Sequence, residues 1–407
     1  MRPPRLRRLL GFLGLQRATV GVLSMVVLVG LGERMAERFL PIYLLALGGG
    51  TLLIGLLQAM DNLLSALYSY PGGYLAERIG EKRALIFFDL VAMCGYAIVI
   101  LVPAWQAVML GAVLFISWSA VSMPATIGVI YRVLPEGKRT MGVTMHSLVR
   151  RVPMAIGPVV GGVFIGVWGE RDGVRLAFVV AFVLAGVALL VQQRLIPDRE
   201  GRVERPIPPP RLRAVLRRMS GPMRRLLAAD IAIRFCEQIP YAFVVVWAMK
   251  TIPSPVSASA FGLLTAIEMA TAMVVYVPVA ALADRAAKKP FVLATFAFFT
   301  AFPLVLLVSR DFSWLVLAFV VRGLKEFGEP TRKSLIMDLA PEDARSAAFG
   351  AYYLVRDLVV TFAALLGALL WSISPEANLL TAAGFGVVGT IGFALFGTDT
   401  PESAATH

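Results

Sequence analysis

Acidic and basic residues alternate inside an apolar stretch near the start of the chain. Glu33 and Glu37 stand four residues apart, and so do Arg34 and Arg38. On a helix, residues four apart share a face, so the two acids form one stripe and the two arginines another. A carboxyl group removed from water can take up and release protons, whereas an acid beside an arginine can form a permanent ion pair. Both chemistries are open to this cluster.

A second set of charges recurs at matching places in the two halves of the chain. Asp61 and Glu268 occupy equivalent positions, and so do Arg150 and Arg356. An ionised group at the centre of a bilayer costs at least about 2.5–3.5 kcal/mol, so such groups should face the interior and pair. We expect all four side chains at mid-depth, where Asp61 and Glu268 would meet Arg150 and Arg356.

A third set of charges follows helical spacing late in the chain, at intervals of four, three and four residues: Arg322, Glu326, Glu329 and Lys333. Two interpretations remain for all three sets. At least one carboxyl group carries protons, or the charges form permanent ion pairs that hold helices in register.

The segments that must position these charges are long and apolar. Of the 407 residues, 58% are hydrophobic and only 16% are charged, against about 25% in a typical soluble domain; the mean hydropathy is +0.76. A membrane-spanning helix needs roughly 20 apolar residues. The apolar stretches are too long for the strands of a membrane barrel. The sequence therefore predicts an all-α integral membrane protein with twelve transmembrane helices.

The predicted spans form two groups of six, separated by a segment rich in proline and arginine. The first group is 18–47, 51–71, 84–103, 106–132, 141–167 and 175–195. The second is 225–249, 257–282, 290–309, 313–337, 346–371 and 377–397. We expect a basic N-terminal tail (1–17), a six-helix bundle (18–195), a linker (196–224), a second bundle (225–397) and a short C-terminal tail (398–407). Cys94 and Cys236 fall within spans and are expected to be free thiols.

The distribution of lysine and arginine predicts the orientation in the membrane. The tail, the linker and four further loops on their side carry most of the basic residues, while the other side holds only Arg171, Arg175, Lys250 and Arg310. Because cytoplasmic loops are enriched in these residues, both termini are expected in the cytoplasm, at the plasma membrane. The net charge of +13 has no soluble basic domain to carry it, so no nucleic-acid partner is expected.

An internal repeat relates the two halves at an offset near 206 residues. The sequence from Gly55 to Asp61 matches that from Gly262 to Glu268, Pro124 matches Pro330, and Gly161 matches Gly367. Leu148-Val149-Arg150 likewise matches Leu354-Val355-Arg356. The first and seventh spans align more loosely, through Arg38-Phe39 and Arg234-Phe235. Parallel six-helix repeats are typical of secondary transporters, with a substrate site between the halves.

The loop after the second span carries a recognisable signature, Gly73-Tyr74-Leu75-Ala76-Glu77-Arg78-Ile79-Gly80-Glu81-Lys82-Arg83. It resembles the G-x-L-A-D-R-x-G-R-K signature of the major facilitator superfamily, with Glu77 for the usual aspartate and Glu81 for a basic residue. The resemblance implies a cytoplasmic gate built from Gly73, Glu77, Arg78, Gly80, Lys82 and Arg83, with Asp284 and Arg285 in the second copy. Ordinary cytoplasmic loop charge is the alternative.

Two further motifs bear on the direction of transport. Gly157-Pro158-x-x-Gly161-Gly162 resembles part of the antiporter signature of that superfamily; small residues also permit close helix packing. The run from Glu33 to Phe39 resembles the E-x-x-E-R-F of proton-coupled peptide transporters, although Glu33 precedes Glu37 by four residues rather than three. Glutamates in the first helix of multidrug exporters offer a positional analogy. Since the first helix lines the cavity in this superfamily, Glu33 and Glu37 are the first candidates for proton transfer.

These observations predict a secondary transporter of a small molecule that works by alternating access, with proton-coupled export favoured. Proton-linked uptake of a metabolite or peptide is the alternative, and a non-transporting sensor with the same fold is another. The cavity residues are expected to be Glu33, Glu37, Arg38, Asp61, Arg150, Glu268, Glu326, Glu329 and Arg356. With two histidines and no G-x-x-x-x-G-K-[ST] loop, we expect neither a metal, a cofactor nor ATP-driven transport. We expect a monomer without enzymatic activity.

Overall fold

The computed structural model describes residues 17–116, 118–134, 136–196, 216–283, 287–341 and 345–399. All regular elements in these ranges are helical. The first group is α1 (Arg17–Glu37), α2 (Leu40–Ala46), α3 (Thr51–Ile79), α4 (Glu81–Leu101), α5 (Trp105–Phe115), α6 (Trp118–Val133) and α7 (Glu136–Leu195). The second is α8 (Gly221–Tyr241), α9 (Val244–Val246), α10 (Ala258–Ala283), α11 (Lys288–Val308), α12 (Phe312–Leu324), α13 (Glu329–Leu339), α14 (Arg345–Ile373) and α15 (Pro375–Phe396).

Eight described helices are long and apolar enough to cross a membrane, and nine when Gly221–Tyr241 and Val244–Thr251 count as one bent span. One of the eight, Val149–Leu195, contains a non-helical residue at Gly169, with φ 80° and ψ 172°. It therefore accounts for two spans. The interrupted pairs α5 with α6 and α12 with α13 supply one more each. Nine, one and two are consistent with the twelve spans that the sequence predicts, in an all-α membrane protein.

Several spans predicted as continuous are interrupted in the structure. The first breaks after Glu37, the fourth between α5 and α6, and the tenth over residues 325–328. The predicted charge stripe from Arg322 to Lys333 is therefore not one helical face, because the helix stops at Leu324 and restarts at Glu329. Glycine accounts for the turn between α3 and α4, where Gly80 has φ 90°, a conformation that residues with a Cβ rarely adopt.

The chain divides into two compact units. Unit 1 contains the described residues of 1–49 and 64–206, and unit 2 those of 50–63 and 207–407. Helix α3 thus contributes its first part to unit 2 and its second part to unit 1. In unit 1, Phe115 and Phe178 pack with ring centroids 5.3 Å apart, beside Tyr96. In unit 2, Phe296 packs edge to face on Phe393 at 5.4 Å.

Close backbone contacts at glycine fix the helix register within each unit. A Cβ added to Gly161 in α7 would lie 2.1 Å from the carbonyl oxygen of Met35 in α1. A Cβ added to Gly367 in α14 would lie 2.1 Å from the carbonyl oxygen of Ile239 in α8. Since Gly161 and Gly367 are repeat partners, Met35 and Ile239 are too, at an offset of 239 − 35 = 204.

The looser alignment of Arg38-Phe39 with Arg234-Phe235 is therefore wrong, because it implies an offset of 196. At an offset of 204 residues, Phe39 corresponds to Phe243, and both side chains are buried. The breaks after α1 and α8 then coincide at residues 38–39 and 242–243. The same register makes Glu33 the counterpart of Glu237.

Substituting Gly161 by Ala should destabilise the protein, because the new methyl group would collide with the backbone of Met35. We expect a loss of about 1–3 kcal/mol, measured as a lower thermal unfolding temperature in detergent. Gly384→Ala is the matched control, since nothing lies within 4 Å of a Cβ there; it should leave stability unchanged or raise it by about 0.5–1 kcal/mol. Equal effects of the two substitutions would contradict the proposed register.

Candidate functional site

Glu33 is a buried carboxyl group whose hydrogen-bond partner is neutral. It lies in α1 with 6% of its surface exposed. The hydroxyl of Ser119, in the first turn of α6, donates to Glu33 Oε2 over 2.8 Å. In the described part of the chain, no lysine or arginine nitrogen lies within 4 Å of this carboxyl. The interruption between α5 and α6 brings Ser119 to the acid.

The other charges of α1 take different roles. Glu37 forms an ion pair with Arg34 in the same helix, with Arg34 Nη1 and Glu37 Oε2 2.6 Å apart. Arg38 lies in the turn after α1 and is partly buried. Of the two acids proposed for proton transfer, only Glu33 therefore lacks a close cation.

The counterpart of Glu33 in unit 2 is surrounded by cations. Arg234 Nη1 donates to Glu237 Oε2 over 2.6 Å, and Lys325 Nζ donates to Glu237 Oε1 over 2.7 Å. Lys325 lies five residues before Pro330, and Ser119 lies five residues before Pro124, which is the repeat partner of Pro330. The residue that contacts the acid is thus a hydroxyl in unit 1 and an ammonium group in unit 2.

Glu268 and Arg356 belong to separate ion-pair clusters in unit 2, so the expected pairing between them is wrong. Glu268 is fully buried and lies 3.3 Å from Arg322 Nε and 3.7 Å from Lys325 Nζ. Arg356 contacts Asp230 at 3.5 Å and Asp357 at 2.7 Å. The α12–α13 interruption explains the difference, because it brings Lys325 toward Glu268.

Asp230, in α8, is the centre of the second cluster. Its carboxylate binds Arg332 in α13 and accepts from the hydroxyl of Tyr352 in α14 over 3.1 Å. Arg332 also contacts Glu329 at 2.8 Å. These contacts tie α8, α13 and α14 together through buried charges. The sequence did not single out Asp230 or Arg332, since neither has a charged repeat partner.

Asp61, Arg150 and Glu326 are the remaining proposed cavity residues. Asp61 lies 3.4 Å from the side-chain amide of Gln58 one turn earlier. Arg150 Nη1 contacts the thioether sulfur of Met123 at 3.6 Å. Glu326 lies in the turn between α12 and α13 and is partly buried.

Asp89 is a second buried carboxyl group in unit 1, and it was not among the proposed site residues. It has no exposed surface, and the indole nitrogen of Trp118 donates to its Oδ1 over 2.7 Å. Its counterpart in unit 2 is Phe296, since each stands nine residues after its helix N-cap, Gly80 or Ala287. An aspartate where the repeat has phenylalanine is the signal that sequence comparison could have used.

Each unit contains a cavity beside these charges. In unit 1, a cavity with an empty volume of about 360 Å³ is lined by Arg34, Ser119 and Arg150, among others. In unit 2, a cavity of about 260 Å³ is lined by Glu237, Phe299, Phe302, Arg322 and Lys325. The lining of the unit 1 cavity thus includes Ser119, which donates a hydrogen bond to Glu33.

The proposed packing motif of α7 lies directly against α1. All four residues are buried: Gly157, Pro158, Gly161 and Gly162. A Cβ on Gly157 would lie 2.7 Å from Cβ of Arg34. The motif therefore sets how closely the charged turn of α1 approaches α7.

The proposed gate residues lie at the α3–α4 turn. Arg78 and Arg83 are exposed there, and Lys82 Nζ donates to the carbonyl oxygen of Gln193 over 3.3 Å. The surroundings of Gly73 and Glu77 lie outside the described part of the structure, and so do Asp284 and Arg285. The gate therefore stays a prediction.

Replacing Asp230 by Asn should destabilise the protein strongly, because it removes the buried carboxylate that Arg332 and Arg356 share. Breaking a buried pair costs about 3–5 kcal/mol, which thermal or denaturant unfolding in detergent would reveal. Asp89→Asn is the matched control: its amide oxygen can still accept from Trp118, so we expect a much smaller loss. A similar loss for both variants would argue against this division of roles.

Comparison with known proteins agrees with this architecture. The family model of the Major Facilitator Superfamily matches residues 22–252 and 226–407. A crystal structure of peptide transporter POT in complex with sulfate is 14% identical, with a TM-score of 0.77 over 93% of each chain. A variant of nucleoside transporter NupG is 13% identical, with a TM-score of 0.78 over 93% of this chain and 99% of that one. No curated protein matches the chain significantly. Its two matched halves, together with the all-helical fold, show that the chain belongs to the Major Facilitator Superfamily of membrane transporters.

Proposed function

We propose that this chain is a proton-coupled secondary transporter of a small molecule, working by alternating access, and that Glu33 carries the coupling proton. The observation that supports this most is the contrast between Glu33 and Glu237. The two acids occupy equivalent positions, yet one binds a hydroxyl and the other two cations.

The partner of a buried carboxyl group decides whether a proton can move on and off it. A carboxylate held by two cations at 2.6 and 2.7 Å loses both ion pairs when it is protonated. A carboxyl group that accepts from serine keeps a hydrogen bond in either state, since the hydroxyl can donate or accept. Proton uptake also removes the cost of an unpaired charge at membrane depth. Glu33 therefore suits a coupling role, whereas Glu237 suits a structural one.

The position of Glu33 connects it to moving parts of a transporter. Ser119 lies next to the interruption between α5 and α6, and it lines the unit 1 cavity. A substrate in that cavity would touch the group that holds the protonated or ionised acid. This arrangement supports direct coupling between substrate binding in the cavity and protonation of Glu33.

We favour export in exchange for protons, on the basis of the Gly157 to Gly162 motif. Its glycines approach Arg34 and Met35, within two residues of Glu33. Proton-linked uptake is the second candidate, favoured by the similarity of the fold to proteins described as peptide and nucleoside transporters. The plasma membrane, cytoplasmic termini and a monomeric state stay predictions.

Glu33→Gln should abolish proton-driven accumulation of substrate while sparing substrate exchange. Purified protein in liposomes, given an imposed pH gradient and a radiolabelled substrate found by thermal-shift screening, provides the measurement. The amide is nearly isosteric but cannot release a proton, so coupling fails while binding survives. Glu376→Gln, an exposed acid at the start of α15, is the control and should transport as the wild type does.

The same assay distinguishes the alternatives. Substrate movement against the inward proton flow indicates export, and movement with it indicates uptake. Uphill transport by Glu33→Gln at the wild-type rate would contradict the role of Glu33. Absence of any flux from the wild type, for every substrate that binds, would favour a sensor.

A further inference from the structure

Arg150 presents a cation to the unit 1 cavity, and no carboxylate in the described part of the chain contacts it. It lies in α7, partly buried, and its side chain lines the cavity of about 360 Å³. Its contact is the thioether of Met123, 3.6 Å away, which is a weak acceptor. Throughout the described ranges, no acidic oxygen lies within 4 Å of its guanidinium group. A charge at membrane depth that contacts no counter-ion is costly and marks a functional site.

The repeat shows which acids unit 1 lacks. Arg356, the counterpart of Arg150, contacts Asp230 and Asp357. At the offset of 204 for α1 and α8, Asp230 corresponds to Val26 (230 − 204). At the offset of 206 for α7 and α14, Asp357 corresponds to Arg151 (357 − 206). Unit 1 therefore keeps the arginine but has valine and a second arginine in place of the two acids.

The rest of the cavity lining suits an anion attached to an apolar body. Besides Arg150 it includes Arg34, whose charge is shared with Glu37, and the hydroxyl groups of Ser122 and Thr126. The indole of Trp118 and the side chain of Val26 provide apolar surface.

We propose that Arg150 is the anion-binding group of a substrate subsite in unit 1, which takes the carboxylate of a small amphipathic organic acid. This inference rests on the proposed transport function and names the class of its substrate. The guanidinium fork matches a carboxylate in geometry. The bound carboxylate would place a negative charge beside Arg150, as Asp230 and Asp357 do beside Arg356. The subsite lies beside Ser119, so an organic acid would reach the residue that holds Glu33.

Ligand binding to the purified full-length protein in neutral detergent tests the proposal without a proton gradient. The probe is 4-phenylbutyrate, compared with its uncharged amide and with 4-phenylbutylamine. The carboxylate should raise the thermal unfolding temperature of the wild type in a concentration-dependent way, while the amide and the amine should not. Because no transport is measured, failure of proton coupling would leave this result intact.

Substitutions at Arg150 make the test specific. Arg150→Gln should weaken binding about tenfold or more, as expected for the loss of a charged hydrogen bond. Arg150→Lys should retain part of the affinity, and Arg151→Gln, on the neighbouring position of α7, should bind as the wild type does. Without ligand, Arg150→Gln should unfold at the wild-type temperature or above, because it removes a cation that contacts no carboxylate in the described ranges. Arg356→Gln, by contrast, should unfold at a lower temperature.

Three results would overturn the proposal. One is that the carboxylate and its amide stabilise the wild type equally, or that neither of them stabilises it. Another is unchanged carboxylate affinity in Arg150→Gln. The third is stabilisation through Arg150 by added phosphatidylglycerol but not by the carboxylate, which would assign the site to a lipid headgroup.

Discussion

The cost of a charge in hydrocarbon is the constraint on which the arrangement of this protein depends. Each ionised group within the spans must find a partner, or it must change its protonation or bind a ligand. Unit 2 meets the constraint internally: Glu237, Glu268 and Asp230 are all paired with lysine or arginine. Unit 1 leaves Glu33 with a hydroxyl and Arg150 with a thioether. The same repeat thus contains one unit in which these acids are paired with cations and one in which Glu33 and Arg150 contact neutral groups, where we propose a proton site and an anion site.

The backbone geometry of the helices determines which groups contact the buried charges. Close contact of Gly161 with Met35 and of Gly367 with Ile239 sets equivalent registers in the two units. The interruption between α5 and α6 then places two adjacent side chains against two buried acids: Trp118 binds Asp89, and Ser119 binds Glu33. Movement of that one turn would change both contacts together. Both residues line the neighbouring cavity, so a substrate bound there would touch both and would have a physical route to the acids.

Hydropathy and the repeat were sufficient to predict an all-α membrane fold, because span length and helix order follow directly from the sequence, and the signature from Gly73 to Arg83 predicted the family. The partners of the charges could not be predicted, since they depend on helix register and on breaks such as residues 325–328. The repeat offset is near 206 residues elsewhere in the chain but 204 between α1 and α8. This difference concealed the correspondence of Glu33 with Glu237. The expected Glu268–Arg356 pair failed because Arg322 and Lys325 contact Glu268, while Asp230 and Asp357 contact Arg356. Asp89 was not proposed as a site residue, and its contact with the indole of Trp118 could not be predicted from the sequence.

Infrared spectroscopy of the protein in membranes tests the central contrast most directly. A protonated carboxyl group gives a C=O band that shifts in D₂O and disappears when the proton is lost. Glu33→Gln should remove part of this band and its pH dependence, while Glu237→Gln, at the equivalent position, should leave the band unchanged because Glu237 is held ionised by Arg234 and Lys325. A band unaffected by Glu33→Gln, or one that disappears in Glu237→Gln, would contradict the assignment of the proton to unit 1.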